Sequence, residues 1–338
     1  MPERAAASAA PVLRPLTLAL LSKLTAERFT SGEILAQSLG VSRRAVMTAA
    51  HEAADVGVEI FAVPRKGYRL ASPLELLDLK AIHTAMGKAA RRVDLNAVPV
   101  IDSTNTAIAA RLGEGAPSGI ALAAEWQRAG RGRRGRAWAM PFGAGLMFSL
   151  GWRFARSAAE LGGLSLAVGV AVARAIEHMR PQHPVSLKWP NDILCNGKKL
   201  GGVLIESQGD MLGPVAVTIG IGLNVRLPEA FADSVDQPVT DVTTVCGAPV
   251  SRNTLLARML IELVSVLDTF QAQGFAPLRE EWQKRHAFNA LAVRVHPGDG
   301  TWFDAEVRGV AEDGSLVVRR AGEDMLLHGG EISVRKQS

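Results

Sequence analysis

The sequence predicts an α+β protein of three successive units, because its pattern changes twice along the 338 residues. Short amphipathic helices followed by short strands predict a winged helix-turn-helix unit at residues 16–72, after a flexible tail at 1–15. Strands joined by hairpins, with helices between them, predict a central domain at 73–290 with a mixed, largely antiparallel sheet. Short β segments with glycine turns at 297–300, 313–314 and 329–330 predict a small SH3-like β-barrel at 291–338. A chain of this length exceeds one ordinary core, which agrees with several units.

Composition and charge exclude several classes of protein. Hydrophobic residues make up 48% and charged residues 21%, the mix of a soluble globular chain rather than a disordered one. The net charge of +5 permits nucleic-acid binding without requiring it. The cysteines Cys195 and Cys246 have no partners at metal-ligand spacing, which argues against a zinc site and for a reducing compartment. Arg14 and Pro15 interrupt any signal peptide, and no run of about 20 apolar residues predicts a membrane span, so we expect a cytoplasmic protein.

The N-terminal unit contains three predicted helices. Leucines at helical spacing predict the first: Leu16, Leu20, Leu21 and Leu24. Thr30 and Glu33, three residues apart, fit a capping box for the second helix, which Gly40 ends. Ser42 then caps a third helix over residues 43–54. Two helices around a glycine-containing turn are typical of a helix-turn-helix.

Two strands after these helices predict a wing. Residues 58–63 and 67–70 flank a basic Pro64-Arg65-Lys66 turn. Candidates for contact with DNA phosphates at this surface are Ser42, Arg43, Arg44, Arg65 and Lys66. The alternative is a three-helix packing module that does not touch DNA. The alanine-rich 49–54 segment lacks the bulky anchors expected of a recognition helix, so either the helix is repacked or its DNA binding is weakened.

The central domain is predicted to begin at about Val98, after a helical connecting segment at 73–95. Ser103 and Thr104 are placed to cap a helix at 105–112. The remaining elements predicted are strands at 120–126, 146–154, 185–189, 193–195, 200–206 and 215–223, a buried helix at 164–179 and an amphipathic helix at 253–273. Asn196-Gly197 predicts a tight hairpin between two of these strands.

The segment 127–136 has the most unusual composition in the chain, with five arginines and three glycines in ten residues. Gly130, Gly132 and Gly135 satisfy a dinucleotide fingerprint formally, but no apolar helix and no suitable acidic residue follow them. A disordered RNA-binding patch is the second interpretation. We favour a mobile cationic loop, hereafter the Gly–Arg loop (residues 130–136), which closes over an anionic substrate.

Three further segments carry polar groups suited to a ligand. Lys188 ends an apolar strand, and Pro190 forces a turn that exposes Asn191 and Asp192; the alternative is an ordinary turn. Residues 220–225 form a strand whose glycines would let a ligand approach the backbone, with Asn224 offering an amide oxygen, although this signal is weak. The cap at Ser103-Thr104-Asn105 has hydroxyls and N–H groups for a polar ligand head, or serves only as a cap.

Taken together, the motifs at 102–105, 130–136 and 188–192 resemble those of the biotin–protein ligases, in particular the bifunctional class that is also the biotin operon repressor. The resemblance covers nearly the whole chain, up to Gly329-Gly330-Glu331-Ile332-Ser333. Lipoate ligases share the fold class but lack this loop.

The resemblance implies a two-step reaction and a set of site residues. Biotin and Mg²⁺-ATP would form biotinyl-5′-adenylate, and a lysine of a biotin carboxyl carrier protein would then accept biotin. Lys188 would stabilise charge in both steps. The residues implied around biotin and its adenylate are Ser103, Thr104, Asn105, Gln127, Arg131, Gly132, Arg133 and Lys188. Those implied on the ATP and Mg²⁺ side are Arg136, Trp138, Asn191, Asp192 and Asn224, with the direct metal ligands unknown.

The same resemblance implies binding to operator DNA as a homodimer that forms with the ligand. Two rival hypotheses remain. One is a winged-helix repressor that senses a small ligand without turnover, and the other is a ligase with a vestigial DNA-binding head.

Overall fold

The N-terminal unit is a winged helix, as predicted. The structure is a computed structural model and describes residues 13–209, 213–296, 301–329 and 333–336, so most of the predicted tail lies outside the described part. The unit comprises α1 (Pro15–Leu21), α2 (Gly32–Leu39), α3 (Arg43–Asp55), β1 (Ile60–Val63) and β2 (Gly67–Leu70). The two strands pair antiparallel and form the wing.

The caps of α2 and α3 explain where these helices begin. Ser42 accepts a hydrogen bond from Ala45 N and starts α3, as predicted, and Gly40 ends α2 in a left-handed conformation. The prediction that Thr30 caps α2 is wrong by one residue. Ser31 provides the cap, because the backbone of Thr30 is already paired with Tyr68 on the wing.

The alanines of α3 belong to a complete core. Ala49 and Ala53 are fully buried beside Val46, and the cluster continues through leucines of α1 and α2. Small side chains on α3 let α1 and α2 supply the bulk, with Leu20 and Leu35 filling the space between the helices. The core around α3 is therefore filled, although residues 49–54 of this helix carry no bulky apolar side chains.

The connecting segment differs from its prediction at its end. It contains α4 (Leu79–Met86) and a 3-10 turn (Gly87–Arg92), but β3 (Asp94–Ile101) already begins four residues before Val98. This strand lies at the edge of the central sheet, so polar residues such as Asp94 and Asn96 are tolerated and the apolar signal of a strand is missing.

The central domain is built on a seven-stranded sheet with the order β3-β4-β5-β9-β8-β7-β6. Only β3 and β4 are parallel, which confirms the largely antiparallel prediction. The elements after β3 are α5 (Thr104–Gly113), β4 (Ile120–Gln127), β5 (Gly145–Phe154), α6 (Leu164–Glu177), β6 (Val185–Lys188), β7 (Asp192–Cys195), β8 (Lys198–Gln208), β9 (Val215–Asn224), α7 (Glu229–Asp233), α8 (Val242–Cys246), α9 (Arg252–Gln273) and α10 (Ala276–Lys284), with short 3-10 turns at Arg133–Gly135 and Ala158–Leu161.

Both faces of this sheet are covered. Ala121 and Ala123 of β4 join the main core with α6 and α9, while the alternate residues Ile120 and Leu122 pack against α5. One described stretch, Ala158–Glu177, is long and apolar enough to cross a membrane by length and composition alone. Most of it is buried inside the protein, which accounts for its apolar composition.

The C-terminal unit is an antiparallel sheet with the order β13-β12-β11-β10-β14. Its strands are β10 (Ala292–His296), β11 (Phe303–Val310), β12 (Leu316–Arg320), β13 (Glu323–Leu327) and β14 (Ser333–Lys336). The predicted turn at Asp313-Gly314 joins β11 to β12. The predicted turn at 297–300 lies outside the described residues, as does Gly330 of the one at Gly329-Gly330, and closure into an SH3-like barrel stays a prediction.

Candidate active site

A cavity lies between the start of α5, the Gly–Arg loop, the turn after β6 and the strands β8 and β9. Its lining contains every residue that the sequence implicated around biotin and its adenylate: Ser103, Thr104, Asn105, Gln127, Arg131, Gly132, Arg133 and Lys188. Arg136, Trp138, Asn191 and Asp192 line it as well. Residues from distant parts of the chain thus meet in one place.

The start of α5 provides an uncharged polar end to the cavity. Ser103 caps the helix, and Thr104 donates from both its N–H and its hydroxyl to Gln127 Oε1, at 2.7 and 3.1 Å. Ser149 Oγ lies 2.7 Å from Thr104 Oγ1 and 2.6 Å from Asn105 Oδ1. Ser149 was not predicted, because its only signal in the sequence is a hydroxyl in an otherwise apolar strand.

A carboxylate joins this polar end to the Gly–Arg loop. Glu206 Oε2 accepts hydrogen bonds from Asn105 Nδ2 at 2.7 Å and from Arg131 Nη2 at 2.9 Å. Glu206 lies outside the lining of the cavity, on β8, yet it contacts two residues that line it. It too was missed, because a glutamate at the exposed end of a strand carries no distinctive signal.

The Gly–Arg loop is folded as a short hairpin over the cavity. Gly132 N donates to Arg136 O at 2.7 Å, and Trp138 N donates to Gly130 O at 2.8 Å. Arg133 points inward, where Nη1 donates to Asn191 Oδ1 at 3.2 Å and burial lowers the pKa of its guanidinium. An arginine remains charged despite such a shift, so Arg133 presents a partly desolvated cation. The predicted mobility of the loop stays a prediction.

The turn after β6 carries a chain of opposite charges. Lys188 Nζ lies 3.7 Å from Asp192 Oδ2, and Lys199 Nζ lies 2.7 Å from Asp192 Oδ1. Lys188 Nζ also sits 5.5 Å from the centre of the Phe288 ring. Lys199 lines the cavity but was not predicted, since a lysine after an Asn-Gly turn is indistinguishable from an exposed one in sequence.

Gly220 and Gly222 of β9 line the cavity, and the approach of a ligand to their backbone stays a prediction. A Cβ atom on Gly220 would overlap the Asn105 side chain, and one on Gly222 would overlap the Trp138 indole. These glycines therefore let two cavity-lining side chains lie against the strand, and through them they shape the cavity.

Asn224 is the one predicted site residue that the cavity lining does not include. It is buried at the end of β9, and its amide donates to Lys199 O at 3.3 Å and to Thr240 O at 2.9 Å. These contacts place it behind Lys199, where it holds the backbone of that lysine.

Charge in the cavity strongly favours an anion. Four arginines and two lysines line it, against the single carboxylate of Asp192: Arg131, Arg133, Arg134, Arg136, Lys188 and Lys199. Within the ranges that the structure describes, no group of three or more His, Cys, Asp or Glu residues could hold a metal ion. Asp192 is already neutralised by two lysines, which makes it a poor ligand for a cation.

A second concave surface lies on the winged helix. Arg43, Arg44 and Arg65 line a groove between the start of α2, the start of α3 and the wing. Ser42 and Lys66 are exposed beside it. All the residues predicted to contact DNA thus lie on one side of this unit.

Comparison with known proteins agrees with both surfaces. Residues 97–224 match the biotin/lipoate A/B protein ligase family, and residues 17–69 match a helix-turn-helix domain. The bifunctional ligase/repressor BirA of Salmonella typhimurium is 37% identical over 321 residues, which cover 95% of this chain and 97% of that protein. This chain belongs to the bifunctional ligase/repressor family.

Proteins named only as biotin ligases also match much of the chain. A biotin–[acetyl-CoA-carboxylase] ligase of Mycobacterium tuberculosis is 32% identical over 270 residues, or 78% of this chain and 97% of that protein. The biotin protein ligase of Aquifex aeolicus, solved in complex with biotin and ATP, superposes with a TM-score of 0.60 at 27% identity, covering 72% of this chain and 99% of that one. These two ligases cover 78% and 72% of the chain, whereas the ligase/repressor of Salmonella typhimurium covers 95% of it, the helix-turn-helix as well as the central domain.

Proposed function

We propose that the chain activates biotin with ATP to form biotinyl-5′-adenylate and transfers biotin to a lysine of a biotin carboxyl carrier protein. The observation that carries this proposal is the cavity itself, in which an uncharged polar end faces a cluster of cations. The chain is a biotin ligase by family, and a neutral ring with a carboxylate tail fits such a two-ended site.

The proposed roles follow the chemistry of each end. Ser103, Thr104, Asn105 and Gln127 bind the polar ring of biotin through hydrogen bonds that neutral donors and acceptors can share. Arg131, Gly132 and Arg133 lie over the carboxylate and the α-phosphate, where guanidinium groups match planar or tetrahedral anions. Lys188 stabilises the negative charge that develops in both steps.

In the first step a carboxylate oxygen of biotin attacks the α-phosphorus of ATP, and pyrophosphate leaves. In the second, the acceptor amine attacks the carbonyl carbon of the mixed anhydride, and AMP leaves. The protein mainly positions these groups and neutralises their charge. Arg136, Trp138, Asn191 and Asp192 belong to the nucleotide side, with Asn224 behind them. Mg²⁺ enters as part of the substrate Mg²⁺-ATP, held chiefly by the phosphates.

The winged helix is proposed to bind operator DNA as part of a homodimer that forms when the ligand is bound. Arg43, Arg44, Arg65 and Lys66 would contact phosphates, with Ser42 at the start of α3 beside them. We assign this activity to residues 16–72, ligation to 73–290 and a supporting role to 291–338. All of these reactions are expected in the cytoplasm.

The decisive experiment incubates the chain with biotin, Mg²⁺-ATP and a biotin carboxyl carrier domain, and measures the mass of the carrier. Addition of one biotin is expected, and omission of ATP is the control. A winged-helix sensor without turnover would leave the carrier mass unchanged and would release no pyrophosphate.

DNA binding is tested separately with duplex DNA at increasing salt. Arg44→Ala is expected to weaken binding and to reduce the slope of log K against log [salt] by about 1, as the loss of one phosphate contact does. Lys80→Ala, an exposed lysine on α4, is the control. Full ligation with no salt-sensitive DNA binding would identify a vestigial head.

A further inference from the structure

We infer that Glu206 is a positioning residue that holds the Gly–Arg loop closed and at the same time fixes the orientation of Asn105. This inference rests on the proposed function, because it names how that site retains its ligand. The observation behind it is one carboxylate oxygen that joins two cavity walls from separate parts of the chain.

The geometry of this contact is direct. Glu206 Oε2 accepts from Arg131 Nη2 at 2.9 Å and from Asn105 Nδ2 at 2.7 Å. Arg131 belongs to the Gly–Arg loop, and Asn105 belongs to the first turn of α5. Because the backbone of Glu206 is held in register opposite Thr218 of β9, its carboxylate is a fixed point to which both can attach.

Glu206 also decides which way the Asn105 amide faces. The Oδ1 atom of Asn105 lies 2.6 Å from the Ser149 hydroxyl, and Nδ2 faces the carboxylate. A carboxylate only accepts hydrogen bonds, so the opposite orientation would set two acceptors against each other. Asn105 is buried, and Gly220 leaves just enough room for it, so the amide has little freedom to find another partner.

The ion pair itself contributes little to the stability of the fold. The side chains of Arg131 and Glu206 are 45% and 33% exposed, and such pairs are weak contributors to folding. The Arg131–Glu206 pair acts instead on the conformation of the loop, because the clustered arginines of the loop repel one another when they have no counter-charge. Removing Glu206 should therefore shift the loop toward open states while the domain stays folded.

The contact is compatible with a bound anion. A guanidinium carries five N–H donors, and Arg131 contacts Glu206 through Nη2, so donors remain for a carboxylate or phosphate in the cavity. The contact between Glu206 and Arg131, hereafter the latch, and a bound ligand can then both hold the loop closed. A closed loop excludes water from the mixed anhydride and slows its release.

The test compares Glu206→Gln and Glu206→Ala with wild type and with Asp102→Asn. Glu206→Gln removes the charge but keeps an oxygen for Asn105, whereas Glu206→Ala removes both. Asp102 is a matched control, because it pairs with Arg128 at 2.7 Å at the base of the same loop, is 71% exposed and does not line the cavity. Thermal unfolding checks that each variant is folded.

Two readouts are measured. Trypsin cleavage after the loop arginines is followed by mass spectrometry, without ligand and with biotinyl-5′-AMP, and release of biotinyl-5′-AMP is timed by displacement. Glu206→Gln is expected to speed both cleavage and release about fivefold with biotin affinity nearly unchanged, since a charged hydrogen bond becomes a neutral one. Glu206→Ala should also weaken biotin binding about tenfold, through the loss of a hydrogen bond by buried Asn105.

The outcomes separate the latch from the proposed function. Wild-type cleavage and release in Glu206→Gln would overturn the latch, as would an equal change in Asp102→Asn. A third outcome is that biotinyl-5′-AMP protects neither wild type nor any variant from trypsin, while Glu206→Gln is still cleaved faster than wild type without ligand. In that case the latch stands and the proposed ligand is wrong.

Discussion

Lys188 illustrates how a single side chain is prepared for charge stabilisation. Its ammonium lies between the Asp192 carboxylate and the face of the Phe288 ring. Such contacts restrict where the ammonium can sit without neutralising it completely, since the carboxylate is shared with Lys199. An anion entering the cavity therefore meets a positioned cation.

Replacing this cation tests its role. Lys188→Ala is expected to lower the rate of adenylate formation by 10²–10³-fold or more, the loss typical when one preorganised electrostatic contact to a transition state is removed. The measurement is biotin-dependent exchange of pyrophosphate into ATP, with thermal unfolding as a check on the fold. Lys198→Ala is the control, because Lys198 is an exposed lysine at the start of β8 that does not line the cavity. Near-normal exchange in Lys188→Ala would remove the assignment.

His286 makes a residue-scale prediction about pH. It is 8% exposed and packs on Trp282, and burial lowers its pKa from 6.5 to about 4. Below pH 6.5 the unfolded chain binds a proton at this histidine that the folded chain refuses until about pH 4. As the pH is lowered from 6.5 to about 4, the free energy of unfolding is therefore expected to fall by about 1.4 kcal/mol per pH unit from this group alone.

The measurement is urea unfolding of wild type and His286→Gln between pH 7 and pH 4.5. Other titrating groups are common to both proteins, so the difference between the two pH profiles isolates His286. The profile of the variant should be shallower. Exposed His183 supplies the control His183→Gln, and parallel profiles for wild type and His286→Gln would contradict the prediction.

At the scale of elements, β9 depends on its glycines. In Gly222→Ala the new Cβ would overlap the Trp138 indole, which must move out of the cavity. If Trp138 stacks on the nucleotide side, KM for ATP should rise about tenfold while the fold survives, since moving a partly buried ring at the cavity costs less than repacking the main core. Gly113→Ala, whose Cβ would come no closer than 3.7 Å to Gln208, is the control. An unchanged KM would separate Trp138 from ATP binding.

The elements also show what sequence can predict. Helices and strands with regular apolar spacing, such as α6, α9 and β5, were predicted nearly to their ends, and so was the Asn196-Gly197 hairpin. Edge strand β3 and the short helix α10 were both missed, because partial exposure dilutes the apolar pattern in both.

The cavity was predictable where residues have unusual composition, as in the Gly–Arg loop and the Lys188 turn. It was not predictable at Ser149, Lys199 or Glu206. Ser149 and Glu206 contact Thr104 and Asn105, which lie 45 and 101 residues away in sequence. A single ordinary polar residue on a strand, Lys199 included, carries no sign of the side chains that it will meet in the fold. Asn224 shows the opposite case. It was predicted as a site residue, but its contacts place it behind Lys199 and outside the lining of the cavity.

At the scale of the whole molecule, the winged helix and the central domain share buried contacts. Phe142, which follows the Gly–Arg loop, is buried in the core of the winged helix, and its N–H donates to Val56 O at 2.9 Å. Close by, the segment between the two domains is fixed by Arg252, which donates to Glu75 O at 2.6 Å and to Gly145 O at 3.0 Å. The two units are therefore held together by packing as well as by the chain.

The ion pair between Arg252 and Glu125 anchors this junction. Its atoms are 2.7 Å apart, the side chains are 4% and 8% exposed, and Glu125 also accepts from Leu77 N at 2.6 Å. Removing one partner leaves the other charge buried without compensation, so Arg252→Met or Glu125→Gln alone is expected to cost about 3–5 kcal/mol. The exposed Arg92–Asp268 pair, broken by Asp268→Asn, should cost at most about 1 kcal/mol.

The double variant Arg252→Met/Glu125→Gln decides whether burial of an unpaired charge causes this loss. Because neither charge remains, it should be more stable than the sum of the two single losses predicts, by about 1–3 kcal/mol. Urea unfolding of the full chain gives all three values. Strict additivity would mean that the hydrogen bonds to Glu75, Leu77 and Gly145, rather than the charge pair, fasten the winged helix to the central domain.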